Sequence, residues 1–222
     1  MDAIQNELHP IMEHHQTAIS MDQDLSLKHM AYHAMEQLEG WCPRSKATVM
    51  MDLVLLMKPD TVVEIGVFGG KSLVPMAYAL RENKRGKAYG IDPWMSDASI
   101  EGMTGVNKDW WGSINHEMIM AGLADKINQF GLNNYIQLIR ATSDGAEPIM
   151  PIDILHIDGN HSEEASLVDV YKWVPLVRKG GVIIFDDLNW STTAKAVKYL
   201  DDNCVRFAEV TGENIWGIWI KP

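Results

Sequence analysis

The chain has 222 residues, of which 46% are apolar and 22% charged, so one domain with a sizeable core is expected. Its formal net charge of −11 argues against general binding to nucleic acid or to an anionic membrane, because those surfaces need clustered Lys and Arg. The two cysteines, Cys42 and Cys204, lie far apart and argue against a disulfide framework or a cysteine zinc site. With no predicted signal peptide or membrane span, a cytoplasmic protein is expected.

The first 58 residues predict helices and no clear strand. Apolar residues keep a helical spacing over Ile4–Met12, and a second apolar helix is predicted over Lys46–Met57, ending at Lys58-Pro59. Between them, Trp41-Cys42-Pro43 predicts a break. We expect this segment, residues 1–58, to cover an acceptor or to contact another copy of the chain in a homodimer or larger homo-oligomer.

From residue 59 to residue 222, strands and helices alternate. The strands are predicted at TVVEIG, KAYGID, YIQLIRA, IDILHID and VIIFDDL, followed by a closing pair, VRFAEV and NIWGIWI. A helix is expected over residues 113–121, and another is expected to run through SEEASLVDVYKWVPLVRKGG. This alternation predicts an α/β fold with a doubly wound, mainly parallel sheet, and the short TGEN link predicts an antiparallel last strand. Ligands of such sheets lie at the carboxyl ends of the strands.

A glycine-rich loop, EIGVFGGKS, follows the first of these strands. Gly66 and Gly69 would let the backbone turn tightly and approach a ligand, and the next strand ends in Asp92, at the separation where an acid binds ribose hydroxyls. An ordinary tight turn is the alternative. Nicotinamide and S-adenosylmethionine cofactors could both use this geometry. Glu64 favours the second, because an acid there can pair with the amino group of a cationic sulfonium ligand.

Acidic residues follow the fourth and fifth predicted strands. Asp158 ends one strand and Asp186-Asp187 end its neighbour, so their carboxylates are expected to converge. Converging carboxylates repel unless a cation lies between them, and hard oxygen ligands favour Mg²⁺, Mn²⁺ or Ca²⁺. His161 is the predicted proton acceptor. The alternative is that these acids are solvated or cap a helix.

His161 also has a structural interpretation. Ser162 is a candidate N-cap, with Glu163 and Glu164 favoured in the first turn of the helix by its dipole. The two interpretations are compatible, because a cap would fix the loop that aims the imidazole. His156 alternates with apolar strand residues and is predicted to pack within the strand.

The stretch from Pro93 to about Gly112 is expected to be irregular. It is longer than a usual strand–helix link and is rich in Trp and Met. Trp94, Trp110 and Trp111 are predicted to form a lid-like wall over an acceptor, with Asn189-Trp190 as a further candidate wall. The alternative is that these side chains pack on the N-terminal helices or on a partner subunit.

Four motifs, EIGVFGG, GIDPW, IDGNHSEE and GGVIIFDDLNW, resemble those of the class I S-adenosylmethionine-dependent methyltransferases over residues 41–220. More narrowly, they resemble metal-dependent small-molecule O-methyltransferases, including those that act on macrolide and aminocoumarin sugars. The resemblance implies a Rossmann-like sheet of seven strands with a reversed last strand. By the same resemblance, Glu64, Gly66 and Ser72 contact the methionine end of the cofactor and Asp92 its ribose, while Thr142 and Ser143 lie near adenine.

In the resembling sugar methyltransferases, an Asp-x-x-His followed by paired acids supplies the metal ligands and the base. Asp158, His161, Asp186 and Asp187 match that pattern. The expected function is a divalent-metal-assisted O-methyltransferase, most simply with Mg²⁺, acting on a hydroxyl of a sugar or phenol-like small molecule. The alternatives are a cephalosporin-hydroxylase-like enzyme on the same scaffold and a non-catalytic binding or assembly protein.

Overall fold

The computed structural model describes residues 21–212 and 214–222. The helix predicted over Ile4–Met12 lies outside the described residues. Helix α1 spans Met21–Met35 and helix α2 spans Arg44–Met57, with a break at residues 41–43 as predicted. Helix α2 ends where Lys58 takes a left-handed conformation with φ of 47° and its N–H binds the carbonyl of Val54.

The rest of the described chain alternates strands and helices. In chain order these are β1 Thr61–Ile65, α3 Leu73–Asn83, β2 Lys87–Asp92, α4 Ser96–Ser99, α5 Gly105–Ser113, α6 His116–Gln129, β3 Ile136–Arg140, β4 Ile152–Ile157, α7 Glu163–Trp173, a 3₁₀ turn Val174–Leu176, β5 Val177–Phe185, α8 Ala194–Asn203, β6 Val205–Val210 and β7 Trp216–Ile220. None of the described helices has the combination of length and apolar character needed to cross a bilayer.

The seven strands form one sheet in the order β3-β2-β1-β4-β5-β7-β6. All described neighbours from β3 to β5 pair in parallel, whereas β7 pairs antiparallel with both β5 and β6. The predicted doubly wound, mainly parallel sheet with a reversed last strand is therefore confirmed. The order reverses between β1 and β4, so their carboxyl ends border a crevice of the kind where α/β sheets bind ligands.

Two apolar layers cover the two faces of the sheet, because the central strands are buried on both sides. On one face, Leu27 of α1 and Met50 of α2 belong to the same buried cluster as Val62 of β1. On the other face, Trp173 of α7 and Leu200 of α8 pack in a cluster with residues of β1, β4 and β5. Burial of this apolar surface stabilises the sheet and fixes the strand ends that carry the polar residues.

Three predicted boundaries were wrong. The helix expected to run through VRKGG ends at Trp173, because Pro175 cannot donate an N–H to continue it, and Val177 already begins β5. The stretch from Pro93 to Gly112 contains α4 and α5. The helix expected over residues 113–121 begins at His116, where the Asn115 side chain accepts from the N–H of Met118, and continues to Gln129.

Candidate functional site

A cavity of about 750 Å³ lies at the carboxyl ends of the central strands. Most of the predicted site residues line it: Gly66, Ser72, Asp92, Trp110, Trp111, Thr142, Ser143, Asp158, His161, Asp186, Asp187 and Trp190. Such a volume is typical of pockets for small molecules and cofactors. The polar clusters predicted at separate strand ends thus meet in a single concave site.

Four predicted residues, Glu64, Gly69, Trp94 and Asn189, do not line the cavity. The placement of Trp94 in an acceptor wall is corrected by the structure. Only 1% of this residue is exposed, and its indole Nε1 donates to the carbonyl of Phe68, 2.8 Å away. The ring is buried because it packs in the core beneath the glycine loop. Asn189 is exposed beside the cavity rather than within its wall.

The glycine loop, residues 66–72, is built around Gly66. Its φ is 82°, and a Cβ at this position would lie 2.0 Å from the carbonyl oxygen of Asp158. Only glycine therefore allows the loop to pass so close to the end of β4. This contact brings the glycine loop and the acidic strand end against each other on one side of the cavity.

Asp92 holds the loop from the end of β2. Its Oδ2 accepts the backbone N–H groups of Val67 at 3.0 Å and Phe68 at 2.9 Å, and its Oδ1 accepts that of Trp94 at 2.7 Å. Burial raises the pKa of Asp92, and these three hydrogen bonds oppose that rise. Asp92 lines the cavity and also shapes the loop, and its contact with a ribose stays a prediction.

Glu64 lies beneath the glycine loop and is fully buried. Its Oε1 accepts from the hydroxyl of Ser72 at 2.9 Å, and its Oε2 lies 3.0 Å from Nδ1 of His156. Both carboxylate oxygens are thus engaged within the protein. The structure does not bring Glu64 to the cavity, so any influence on a bound cofactor passes through Ser72 and the loop.

A buried polar chain continues from Glu64 to the acidic pair. His156 Nε2 lies 3.0 Å from Oδ2 of Asp186 and 2.9 Å from Nζ of Lys46, which in turn donates to the same Asp186 oxygen. Burial and the charge of Lys46 lower the pKa of His156, but hydrogen bonds to Asp186 and Glu64 outweigh them and raise it to about 9. His156 packs within its strand as predicted, and it also bridges two carboxylates.

The Lys46–Asp186 pair keeps both groups charged. Burial opposes the charged forms, but the Lys46 ammonium holds the pKa of Asp186 well below its usual range, and Asp186 and Asp158 raise the pKa of Lys46 above its ordinary value. Asp158 behaves differently. Burial and the charge of Asp186 raise the pKa of Asp158. Of the two aspartates, Asp158 is therefore the one that gains a proton more readily.

His161 lies on the open side of the same cluster. Its Nε2 is 2.8 Å from Oδ2 of Asp187 and 3.8 Å from Oδ1 of Asp158, close enough for ion pairing, although neither contact has hydrogen-bond alignment. Burial lowers the pKa of His161, but these two carboxylates outweigh it and raise the pKa to about 10. The ring also packs on Trp190, with centroids 4.9 Å apart. Ser162 caps α7 as predicted, its hydroxyl accepting from the N–H of Ala165.

The residues that could hold a metal ion form two groups in the described part of the chain. The inner group is His156, Asp158 and Asp186, and the outer group is Asp158, His161 and Asp187. The outer side chains are 22–25% exposed to the cavity. Oδ1 of Asp186 is buried and has no hydrogen-bond partner among the described residues. A lone carboxylate oxygen beside two further acids fits a hard divalent cation.

An aromatic cluster also borders the cavity. Trp41, Phe68, Trp110 and Trp111 pack edge-to-face and stacked, with centroid distances from 5.0 Å for the two α5 tryptophans to 6.5 Å for Phe68 and Trp110. This cluster joins α5 to the glycine loop and to the segment before α2. Trp110 and Trp111 line the cavity, and their role as a wall over an acceptor stays a prediction.

Sequence reasoning missed Lys46 and the aromatic partners of α5. Lys46 shares a helical stripe with Met50 and Val54, both fully buried, and a lysine at that spacing on an apolar face was a detectable signal. Trp41 was interpreted as part of a break, which is correct for the backbone. Its contacts with Phe68 depend on packing between distant segments and had no local signal.

Comparison with protein families gives a match to a methyltransferase domain over residues 63–188. A putative caffeoyl-CoA O-methyltransferase of Arabidopsis thaliana is 30% identical over 138 residues, which cover 62% of this chain and 50% of the plant protein. The chain thus spans about half the length of this curated relative.

Solved structures share the fold. The O-methyltransferase NovP superposes with a TM-score of 0.62 at 18% identity, covering 80% of this chain and 78% of NovP. The O-methyltransferase TomG of Streptomyces achromogenes, solved with S-adenosylmethionine, superposes with a TM-score of 0.59 at 14% identity, covering 92% of each chain. At these identities the likeness is one of fold.

Proposed function

We propose, from the premise that this chain belongs to the methyltransferase-domain family, that it transfers a methyl group from S-adenosylmethionine to a hydroxyl of a small molecule. One observation carries the proposal. A single cavity is lined both by the glycine loop with Asp92 and by His161 with its carboxylates. A cofactor and an acceptor would therefore meet within one concave site.

The cofactor half of the proposal rests on the residues around the glycine loop. The methionine end would lie against Gly66 and Ser72, the ribose at Asp92, and the adenine at Thr142 and Ser143, all of which line the cavity. TomG, which shares this fold, was solved in complex with S-adenosylmethionine. These points support S-adenosylmethionine over a nicotinamide cofactor.

The acceptor half rests on His161. Methyl transfer from a sulfonium is an in-line displacement, in which the acceptor oxygen attacks the methyl carbon and loses its proton. Holding the two reactants in place can contribute about 7–11 kcal/mol to lowering the barrier. His161 faces the cavity and would take the proton, while Trp190 packs against its ring and limits water.

A divalent cation, most simply Mg²⁺, is part of the proposal. Asp158 and Asp187 would hold it at the outer position. Oδ1 of Asp186, which has no hydrogen-bond partner within the described residues, is proposed as a further ligand, although Asp186 shares a group of potential ligands with Asp158 and not with Asp187. When bound, such an ion would orient the acceptor hydroxyl and favour its ionised form. The carboxylates alone hold a proton on His161, as its raised pKa indicates, so His161 would act as a base only where a bound cation offsets the charge of Asp158 and Asp187.

The acceptor is proposed to be a sugar or a phenol-like ring. Trp110, Trp111 and Trp190 present aromatic faces to the cavity, and such faces pack well against planar rings and sugars. The name of the plant relative, a putative caffeoyl-CoA O-methyltransferase, is in keeping with a phenolic hydroxyl.

Two unpaired, buried cysteines, Cys42 and Cys204, support a cytoplasmic location.

Calorimetry and a methyl-transfer assay test the proposal together. S-adenosylmethionine is expected to bind with a Kd in the micromolar range, and a panel of catechols, flavonoids and glycosides should include at least one acceptor. Absence of binding at high micromolar cofactor would remove the methyltransferase function. Activity that is unchanged by EDTA treatment would refute the role of the metal but not the methyl-transfer reaction.

Aspartate substitutions locate the metal. Asp187→Asn is expected to weaken the divalent cation and lower kcat by about 10–100-fold, because it removes one carboxylate ligand. Asp202→Asn is the matched control, since Asp202 lies at the end of α8 and pairs with Lys198. Equal activity of the two variants at limiting Mg²⁺ would contradict the ligand role of Asp187.

A further inference from the structure

Lys46 is a buried cation that reaches the site from outside the methyltransferase-domain match. It belongs to α2, is 2% exposed, and passes its ammonium group into the carboxylate cluster at the ends of β4 and β5. Nζ donates to Oδ2 of Asp186 and lies 2.9 Å from Nε2 of His156 and 4.0 Å from Oδ2 of Asp158.

These three neighbours are the members of the inner group of potential metal ligands. The Lys46 ammonium therefore lies where a cation held by His156, Asp158 and Asp186 would have to lie. The ring of Trp216 also lies beside the ammonium, with its centroid 5.9 Å from Nζ. The outer group, Asp158, His161 and Asp187, stays open to the cavity.

We propose that Lys46 is a built-in counter-cation. Its ammonium fills the inner cation position, so the acidic cluster can take one divalent ion only, at the outer position. Lys46 is thus a positioning residue: it holds Asp186 by Oδ2, whereas Oδ1 has no hydrogen-bond partner among the described residues. The single divalent ion presupposes the proposed function, whereas the charge pairing of Lys46 with Asp186 does not.

The fixed positive charge of Lys46 next to the outer position predicts the direction in which the affinity for a divalent cation changes when the charge is removed. It repels an incoming divalent cation, so removing the charge should tighten binding. If Lys46 instead only supported the fold of the site, its removal would loosen binding. The direction of the change therefore separates an electrostatic role from a merely structural one.

The test uses the full-length protein, freed of metal with EDTA, as wild type, Lys46→Met and Lys46→Arg. Methionine keeps the unbranched shape and most of the length of the side chain without its charge, and arginine keeps the charge. Mn²⁺ affinity is measured from the free-ion EPR signal, and folding is checked by circular dichroism. We expect Lys46→Met to bind Mn²⁺ at least about tenfold more tightly than the wild type, and Lys46→Arg to stay within about threefold of it. Unchanged or weaker Mn²⁺ binding by a folded Lys46→Met protein would overturn the proposal.

If Lys46→Met is too unstable for the Mn²⁺ measurement, thermal unfolding of single and double variants of Lys46 and Asp186 tests the charge pairing instead. Without the Lys46 ammonium, the buried Asp186 carboxylate loses one of its two cationic partners and keeps only His156. Removing one partner of a buried pair is more harmful than removing both. The double variant Lys46→Met, Asp186→Asn is therefore expected to unfold at a higher temperature than Lys46→Met alone. A double variant that is no more stable than the single one would contradict the charge pairing.

Methyl transfer and S-adenosylmethionine binding by the wild type are measured in parallel. If the wild type neither transfers methyl groups nor binds S-adenosylmethionine, but the Mn²⁺ and stability changes are as expected, the proposed function is wrong and the counter-cation role of Lys46 still holds. Active wild-type enzyme without the expected tightening in Lys46→Met would remove the counter-cation and leave the proposed function.

Discussion

Asp169 shows how folding changes the chemistry of one residue. It lies on the buried side of α7, is 2% exposed, lines the cavity, and its Oδ1 has no hydrogen-bond partner among the described residues. Burial raises the pKa of this carboxyl from 3.8 to about 7, although a hydrogen bond to Ser143 and the charge of His161 oppose the rise. Nothing in the local sequence SLVDVYKW marks this aspartate as different from an exposed one.

The raised pKa of Asp169 predicts a pH-dependent stability difference. Because the folded-state pKa is above the ordinary value, the protonated form stabilises the fold fully below about pH 4, and this contribution is lost as the pH rises through about 7. Asp169→Asn has no charge to bury, so its stability relative to the wild type should increase by roughly 2 kcal/mol between pH 5 and pH 8. Chemical denaturation at both pH values measures this.

The control for Asp169 is Asp109→Asn on the exposed surface of α5. Its stability relative to the wild type should be the same at pH 5 and pH 8. A pH-independent effect of Asp169→Asn would show that the carboxyl is not held protonated by burial.

His161 carries the prediction for catalysis. His161→Ala should lower kcat by about 10²–10⁴-fold, because a positioned general base typically contributes that much, while the affinity for S-adenosylmethionine should change little. His33→Ala is the control, since its side chain is 77% exposed on α1. Near-normal turnover of His161→Ala at neutral pH would exclude it as the base.

At the scale of elements, the loop after β4 and the lid-like segment form one unit. The side chain of Asn160 donates to the backbone carbonyls of Ala98 at 3.2 Å, Ser99 at 3.3 Å and Glu101 at 2.9 Å. The Asp158–His161 turn and the end of α4 are thus fastened together. Any movement of the segment over the cavity is coupled to the loop that carries His161.

Asn160→Ala is expected to loosen the segment over residues 96–113. Proteolysis within it should become several-fold faster, because three hydrogen bonds are lost, and KM for the acceptor should rise more than kcat falls. Limited trypsin digestion and steady-state kinetics measure the two effects. Asn203→Ala, which removes one exposed hydrogen bond to Tyr199, serves as the control, and equal digestion of both variants would contradict the fastening role.

The sequence predicted the strands and helices correctly where neighbouring residues determine them. β-branched runs predicted β1 and β4, and the Ser162 cap predicted the start of α7. The end of α7 was misplaced although Pro175 was visible, since the apolar spacing continues past it. The helices α4 and α5 have no buried residues of their own, so no apolar stripe could reveal them.

At the scale of the whole molecule, the N-terminal helices share the core of the sheet. Leu27 of α1 and Met51 and Val54 of α2 are fully buried in the cluster that covers one face of the sheet. Lys46 adds the charge that balances Asp186. The division of the chain at residue 58 remains a prediction, and the shared core argues for one folding unit.

A chain beginning at residue 59 is therefore expected to fail to fold. It would expose one apolar face of the sheet and leave Asp186 buried without its counter-charge, and an uncompensated buried charge costs about 3–5 kcal/mol. Circular dichroism and thermal unfolding should show no cooperative transition, in contrast with the full-length protein. A soluble, cooperatively folding truncated chain would support two independent units.

Self-association is the remaining prediction at this scale. Leu25, Met30 and Leu56 are exposed on α1 and α2, with Leu56 81% exposed, and such apolar surface favours contact with another copy. Light scattering is expected to give a homodimer or larger assembly. A monomer at all concentrations would contradict it.

The sequence by itself determined the order of the elements, the sheet type and part of the set of residues that line the cavity. These follow from local periodicity, from glycine and acid placement at strand ends, and from the rule that parallel strands present their carboxyl ends together. Only the tertiary structure decided that Trp94 is buried, that Glu64 is sealed beneath the loop, and that Lys46 enters the acidic cluster. Each depends on a contact between segments far apart in the chain, as the 140 residues between Lys46 and Asp186 illustrate, and no local pattern encodes which distant side chain will neutralise a buried charge.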